Sequence, residues 1–270
     1  KERGFAMGIY ITGPAFGSIF ALSTTNSLFM PIFENDWRDV ILLFSFFVFV
    51  SSAIWIYLCK GIQIKNSNQN NFNIFKQLII YWNLIKLRNV KILLLMSVCI
   101  FFYSHGLFNW LPEILRMKNM TLSQAGYWAS LPTLVGIVGS ILIPRFATPD
   151  RRMFIFFILI LSAIVSTLLL LIDWLPILSV GLILQGISRA TLMTIAILIL
   201  MESPGVKSEH MGAAGGLFFT FAEIGGVLGP LSMGKILDIS GNFDLSLIFV
   251  TIVTSLLILF FLYLNYKRIY

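Results

Sequence analysis

The sequence predicts an all-α integral membrane protein, and three observations carry that prediction. Of its 270 residues 58% are hydrophobic and only 11% are charged, where a soluble domain carries about a quarter charged residues. The apolar residues form long unbroken runs of the length a helix needs to cross a bilayer, about 20 residues. None of these runs alternates with period two, the pattern of a transmembrane β-barrel, so helices are the elements that satisfy their backbone groups in hydrocarbon. Mean hydropathy is +0.90.

Taken in order, the runs predict eight spans: 5–27, 40–59, 91–112, 122–145, 153–172, 175–200, 211–234 and 245–265. The first and seventh are rich in glycine and alanine, residues that let helices approach closely. The second follows Trp37-Arg38 and runs through aromatic and branched residues. The fifth and sixth are separated only by "IDWLP" (172–176), which requires a tight hairpin.

The net charge of +7 does not point to nucleic acid, because the basic residues fall in the gaps between spans. With residue 1 in the cytoplasm, fourteen of the nineteen Lys and Arg lie on cytoplasmic segments and four on the outer side, with Arg189 inside a span. The positive-inside rule therefore places both ends of the chain in the cytoplasm, with the inner (plasma) membrane as the expected location. Cys59 and Cys99 lie in or beside apolar runs without metal-ligand spacing, and no cofactor or metal is expected.

The longest connection, 60–90, starts with the Asn-rich "KNSNQNN" and continues as "FNIFKQLIIYWNLIKLR", apolar at roughly helical spacing with interspersed cations. It reads as a flexible linker followed by a helix on the cytoplasmic membrane surface. It divides the chain into 1–59, with two spans, the linker 60–90, and 91–270, with six.

An internal repeat supports that division. At an offset of 208 residues, Gly4, Ala6, Gly8, Thr12 and Gly17 fall on Gly212, Ala214, Gly216, Thr220 and Gly225, and Asp36 falls on Asp244. The offset spans six helices, an even number, so the two copies run parallel. The repeating unit is six helices, and the chain holds the last two of one unit and the whole of the next.

Several stretches resemble the Major Facilitator Superfamily in their order and spacing. "ERGFAMGIYITGPAFG" (2–17) resembles the start of transmembrane helix 5, and "GPAFGS" (13–18) is similar to the Gly-Pro-x-x-Gly motif of helix 5 in exporters and antiporters. "NDWRDVILLFSFFVFV" (35–50) resembles the Trp-Arg start of helix 6, and "GGVLGPLSMGKILDISGNF" (225–243) the end of helix 11. "RFATPDRRM" (145–153) looks like a degenerate Asp-Arg-x-Gly-Arg-Arg loop between helices 8 and 9, without the glycine and the spacing. The pattern is closest to the organic-anion and cyanate/nitroimidazole-type branches. The resemblance implies a six-plus-six helix bundle of which this chain supplies helices 5–12. Helices 1–4 of the same protein are the implied partner, alternating access between the two halves the implied mechanism, and helices 1, 4, 7 and 10 the implied cavity lining.

Arg189 is the residue that composition leaves unexplained. It stands near the middle of the 175–200 span, where a charge costs several kcal/mol unless paired or hydrated. A guanidinium is a planar, permanent cation suited to a carboxylate-like solute. Glu223 lies at similar depth in the next span, so two expectations follow: an Arg189–Glu223 ion pair, or an anion site at Arg189 with Glu223 as the proton-coupling group. Gln185 sits one turn before Arg189, and Ser188, Thr191 and Thr194 add hydroxyls on the same helix. His105, Asn109 and Tyr103, with Trp110, are candidates for the same cavity from the 91–112 span. Gly13, Pro14, Gly17, Gly225, Gly229 and Pro230 are expected to serve helix packing or bending rather than solute contact.

An enzyme is not expected, since the two histidines, His105 and His210, stand in no Gly-x-Ser-x-Gly or His-Glu-x-x-His pattern. The expected function is secondary active transport of a small organic, anionic solute with proton or solute coupling. The alternatives are a proton-antiport exporter of drugs or metabolites, favoured by "GPAFGS", and a receptor or scaffold that does not transport.

Overall fold

A computed structural model describes residues 13–14, 16–60 and 74–266 of the chain. The repeat positions Gly4, Ala6, Gly8 and Thr12 and the Asn-rich part of the linker lie outside the described residues. Helix α1 covers 16–32: an α-helix to residue 24, a π-helical turn over Thr25–Phe29, and a last α turn over Met30–Ile32. The following helices are α2 (Trp37–Cys59), α3 (Ile74–Lys86), α4 (Arg88–Met117), α5 (Leu122–Phe146), α6 (Arg152–Leu169), α7 (Leu175–Met201), α8 (Met211–Ser240) and α9 (Asp244–Tyr266).

Seven of the described helices are long and apolar enough to cross a membrane, so the chain is a multi-pass membrane protein. Each expected span from 40 onward corresponds to one of them. Local chemistry sets their ends. Asp36 caps α2 by accepting the Arg38 N–H at 2.8 Å, and Thr121 with Gln124 forms a reciprocal capping box at the start of α5.

Two helices run further than hydropathy alone indicates. Pro112 does not stop α4, which continues to Met117 with a Glu113–Arg116 pair on its last turn. Helix α8 passes Lys235 and Asp238 and stops at Gly241, whose φ of 73° only glycine adopts without strain.

The core is the six-helix group α4–α9, in which α4 and α8 run parallel with their backbones almost in contact. A Cβ on Gly225 would stand 1.9 Å from the Val98 carbonyl oxygen, and one on Gly229 2.4 Å from that of Phe102. Helices α5 and α7 cross similarly closely, a Cβ on Gly186 falling 2.4 Å from the Pro132 carbonyl oxygen. Dispersion at such small-residue crossings substitutes for the hydrophobic drive that lipid cannot supply.

Ion pairs tie the ends. Arg152 at the start of α6, only 8% exposed, pairs with Glu202 at the end of α7 and donates to the Ala147 carbonyl at 3.2 Å. Lys118 pairs with Asp173 at the opposite end of the bundle.

Helix α1 docks on α5: the Ser123 hydroxyl donates to the Asn26 carbonyl at 3.3 Å, and Gly126 lies against the Leu22 carbonyl. Helix α2 stands apart, with Val40 as its one buried residue. The expected surface helix is α3, which packs Leu84 into the core and leaves Leu78, Ile79 and Trp82 exposed.

Gly225 and Gly229 sit at a close crossing, whereas a Cβ on Gly13, Gly17, Gly212 or Gly216 meets nothing within 4 Å among the described residues. Helix α8 stays helical through Pro230, whose carbonyl accepts the Trp110 indole N–H at 2.9 Å. Pro14, in a helical stretch, offers its carbonyl to the Ser18 hydroxyl at 2.9 Å.

Candidate functional site

The crossing of α5 and α7 positions the central residue. Because Gly186 has no side chain, α7 lies on the Pro132 backbone, and Arg189, one turn on, comes level with Thr133. The Arg189 guanidinium donates to Thr133 Oγ1 at 3.0 Å, and its central carbon lies 4.7 Å from the ring centre of Phe108 on α4. Stacking over a ring face and a hydroxyl acceptor stabilise a cation without neutralising it.

A cavity of about 280 Å³ opens beside this group between α4, α5 and α7. Ser104 and His105 of α4, Thr133 and Ser140 of α5, and Arg189 and Thr194 of α7 supply its polar lining, and Phe101, Ile100, Ile137 and Met193 supply apolar walls. The site has one permanent cation, several hydroxyls and an imidazole.

The expected Arg189–Glu223 ion pair is not formed. Among the described residues Arg189 makes no ion pair at all. The reason is helix rotation: Arg189 leaves α7 toward α5 and α4, whereas Glu223 sits exposed on the α8 face beside α4. Glu223 Oε2 instead comes near His105, each of the two lying 2.9 Å from the position a Cβ on Gly226 would take. His105 stacks on Phe101 with ring centroids 5.0 Å apart.

Of the other expected contacts, Thr194 joins His105 in the lining, whereas Tyr103, Asn109, Trp110, Gln185, Ser188 and Thr191 do not. Tyr103 is fully buried, its hydroxyl held by Ser188 Oγ at 2.7 Å and Ser166 Oγ at 3.0 Å. Gln185 is also fully buried, and neither amide atom has a hydrogen-bond partner among the described residues. Asn109 is exposed and spends its amide donor on the His105 carbonyl of its own helix, at 2.8 Å.

Sequence reasoning missed Thr133, Phe108, Ser104 and Ser140. Thr133 follows a mid-helix proline in α5, which was the available signal; Phe108 carried none, being one of 25 phenylalanines.

The described helices form a bundle with a charged, hydroxyl-lined cavity between α4, α5 and α7. The chain belongs to the Major Facilitator Superfamily, whose model matches residues 1–150. It is also similar to the probable galactarate/D-glucarate transporter GudP of Escherichia coli (strain K12), with 22% identity over the whole of this chain. The chain spans 66% of that relative's length.

Proposed function

We propose that the protein is a secondary active transporter of small organic anions, and that Arg189 is the group that holds the anion's carboxylate. The observation that carries this reading is a guanidinium in the middle of a spanning helix beside a cavity, supported by Thr133 and Phe108 and, among the described residues, by no acid. Burying an unneutralised charge is costly, and a site retains one where a counter-ion is meant to arrive. The hydroxyls of Ser104, Thr133, Ser140 and Thr194 suit a polyhydroxylated acid. A hydroxylated dicarboxylate matches the solute in the relative's name, and galactarate is the first solute to test.

In this reading the solute passes by alternating access between two six-helix halves, with α4–α9 as the second half and both ends of the chain on the cytoplasmic side of the inner membrane. The driving force is a proton or solute gradient.

The test is uptake of labelled galactarate into vesicles containing the full-length protein. Arg189→Ala should abolish it. Arg189→Lys keeps the charge and loses the planar fork and the ring stacking, so it should weaken apparent affinity by at least about tenfold, equivalent to roughly 1.4 kcal/mol. Unchanged uptake in Arg189→Ala would remove the reading.

A further inference from the structure

The stretch that joins α5 to α6 carries three arginines, and the structure neutralises one of them. Arg152 is buried and pairs with Glu202. Arg145, in the last turn of α5, and Arg151, at the N-cap of α6, are exposed and make no ion pair among the described residues. Asp150, next to Arg151, is exposed and also makes none among them. Two cations against one carboxylate leave this end of the bundle with a positive charge to spare.

Beside it a groove of about 410 Å³ runs between α5, α6 and α7. Ile143 and Phe146 of α5, Phe154 and Ile158 of α6, and Leu184 and Ile187 of α7 line it. Phe146 directly follows Arg145, and Phe154 comes one turn after Arg151, so the cations stand at the same helix ends as the mouth of the groove. The one polar side chain in the lining, Ser162, gives its hydroxyl to the Leu184 carbonyl at 3.3 Å, so the groove offers nothing to a polar solute. It shares no lining residue with the Arg189 cavity. Along α6 it reaches from Phe154 to Ser162. That is about 12 Å at helical rise, most of the roughly 15 Å of hydrocarbon in one leaflet.

We propose that this groove seats an acyl chain of one anionic phospholipid, with Arg145 and Arg151 holding the phosphate. Exposed apolar side chains are ordinary on a spanning helix, but a concave groove that ends at unpaired cations asks for a particular occupant. It must be apolar over the depth of a leaflet and anionic at the surface, which describes an acidic membrane lipid. Guanidinium forks match phosphate oxygens. In the orientation proposed above, this end of the bundle meets the cytoplasmic leaflet, whose surface potential is negative. The lipid also bears on the solute site. Leu184 and Ile187 flank Gly186, where α7 lies on the Pro132 backbone, and a chain seated against them packs the crossing that positions Arg189. The proposal does not depend on which solute the protein carries.

The experiment compares dioleoylphosphatidylglycerol with dioleoylphosphatidylcholine, which share their chains and differ in headgroup charge. Binding to the purified, delipidated full-length protein is read by native mass spectrometry. The wild type should take up one phosphatidylglycerol at least about fivefold more tightly than phosphatidylcholine, the scale of one net cation at a membrane surface. Arg145→Gln/Arg151→Gln should bind the two lipids equally, at the phosphatidylcholine level. Ile158→Trp fills the groove from an exposed position, leaves both cations in place, and should abolish the tight first site for either lipid. Equal binding of the two lipids by the wild type overturns the proposal. So does a wild-type preference in the double variant, or a wild-type first site in Ile158→Trp. A wild type that forms dimers which Ile158→Trp dissolves overturns it too, since the groove then holds a second copy of the chain.

Discussion

Tyr103 on α4 and Ser188 on α7 share a hydrogen bond of 2.7 Å, one residue before Arg189. The same phenol reaches Ser166 on α6 at 3.0 Å, so one buried hydroxyl joins three helices behind the cavity. Ser188 and Ser166 also bond carbonyls of their own helices, Leu184 and Ala163. The tyrosine therefore orients α7 around its axis from behind, and this orientation turns Arg189 to Thr133 and Phe108.

Tyr103→Phe should lower thermal stability modestly, by about 0.5–1 kcal/mol, because the serines keep their backbone partners. Tyr103→Ala should cost roughly 3–5 kcal/mol by opening a cavity among packed helices. Melting curves in detergent separate the two. Equal losses in both variants would mean that the hydroxyl, not the ring, dominates.

Gly225→Ala and Gly229→Ala should prevent assembly of the bundle or strongly reduce its yield, since each new methyl would collide with rigid backbone at 1.9 and 2.4 Å. Gly212→Ala and Gly216→Ala, with nothing within 4 Å among the described residues, should leave monomer yield and melting temperature of the same preparation near wild type. Size-exclusion profiles of the four variants are the readout.

Gln185→Met should stabilise the protein or leave it unchanged. Both amide atoms of Gln185 are buried without a partner among the described residues, and an unpaired buried amide costs about 1–3 kcal/mol that an apolar chain of similar volume does not. A melting temperature lowered by several degrees would show that the amide is bonded in the membrane.

Glu202→Gln should destabilise the end of the bundle where α6 starts and α7 stops, because it leaves the Arg152 side chain, only 10% exposed, with the Ala147 carbonyl as its acceptor. The loss should exceed about 1 kcal/mol. Lys207→Ala, which removes a 3.9 Å pair between side chains 73% and 66% exposed, should change stability hardly at all. Protease sensitivity of the 202–210 connection offers a second readout.

The spans were legible because transferring twenty apolar residues into hydrocarbon outweighs every local preference, and that balance is written residue by residue. Arg189 was legible as a functional candidate for the same reason, since a lone charge in such a run has no structural excuse. The close crossing at Gly225 and Gly229 could be read from their spacing. What the sequence did not contain was the rotation of each helix about its own axis. In lipid, the apolar side chains cover nearly the whole circumference of a span, so hydropathy does not say which face meets which neighbour. Only packing decides that. Arg189 therefore meets Thr133 instead of Glu223, Glu223 lies on the α8 face beside α4, and Tyr103 and Gln185 turn into the core. The sequence alone determined which apolar runs from residue 40 onward form long helices and which charge lies among them; the tertiary structure decided what that charge faces, because contact geometry between nearly uniform apolar surfaces depends on the shapes of all of them at once.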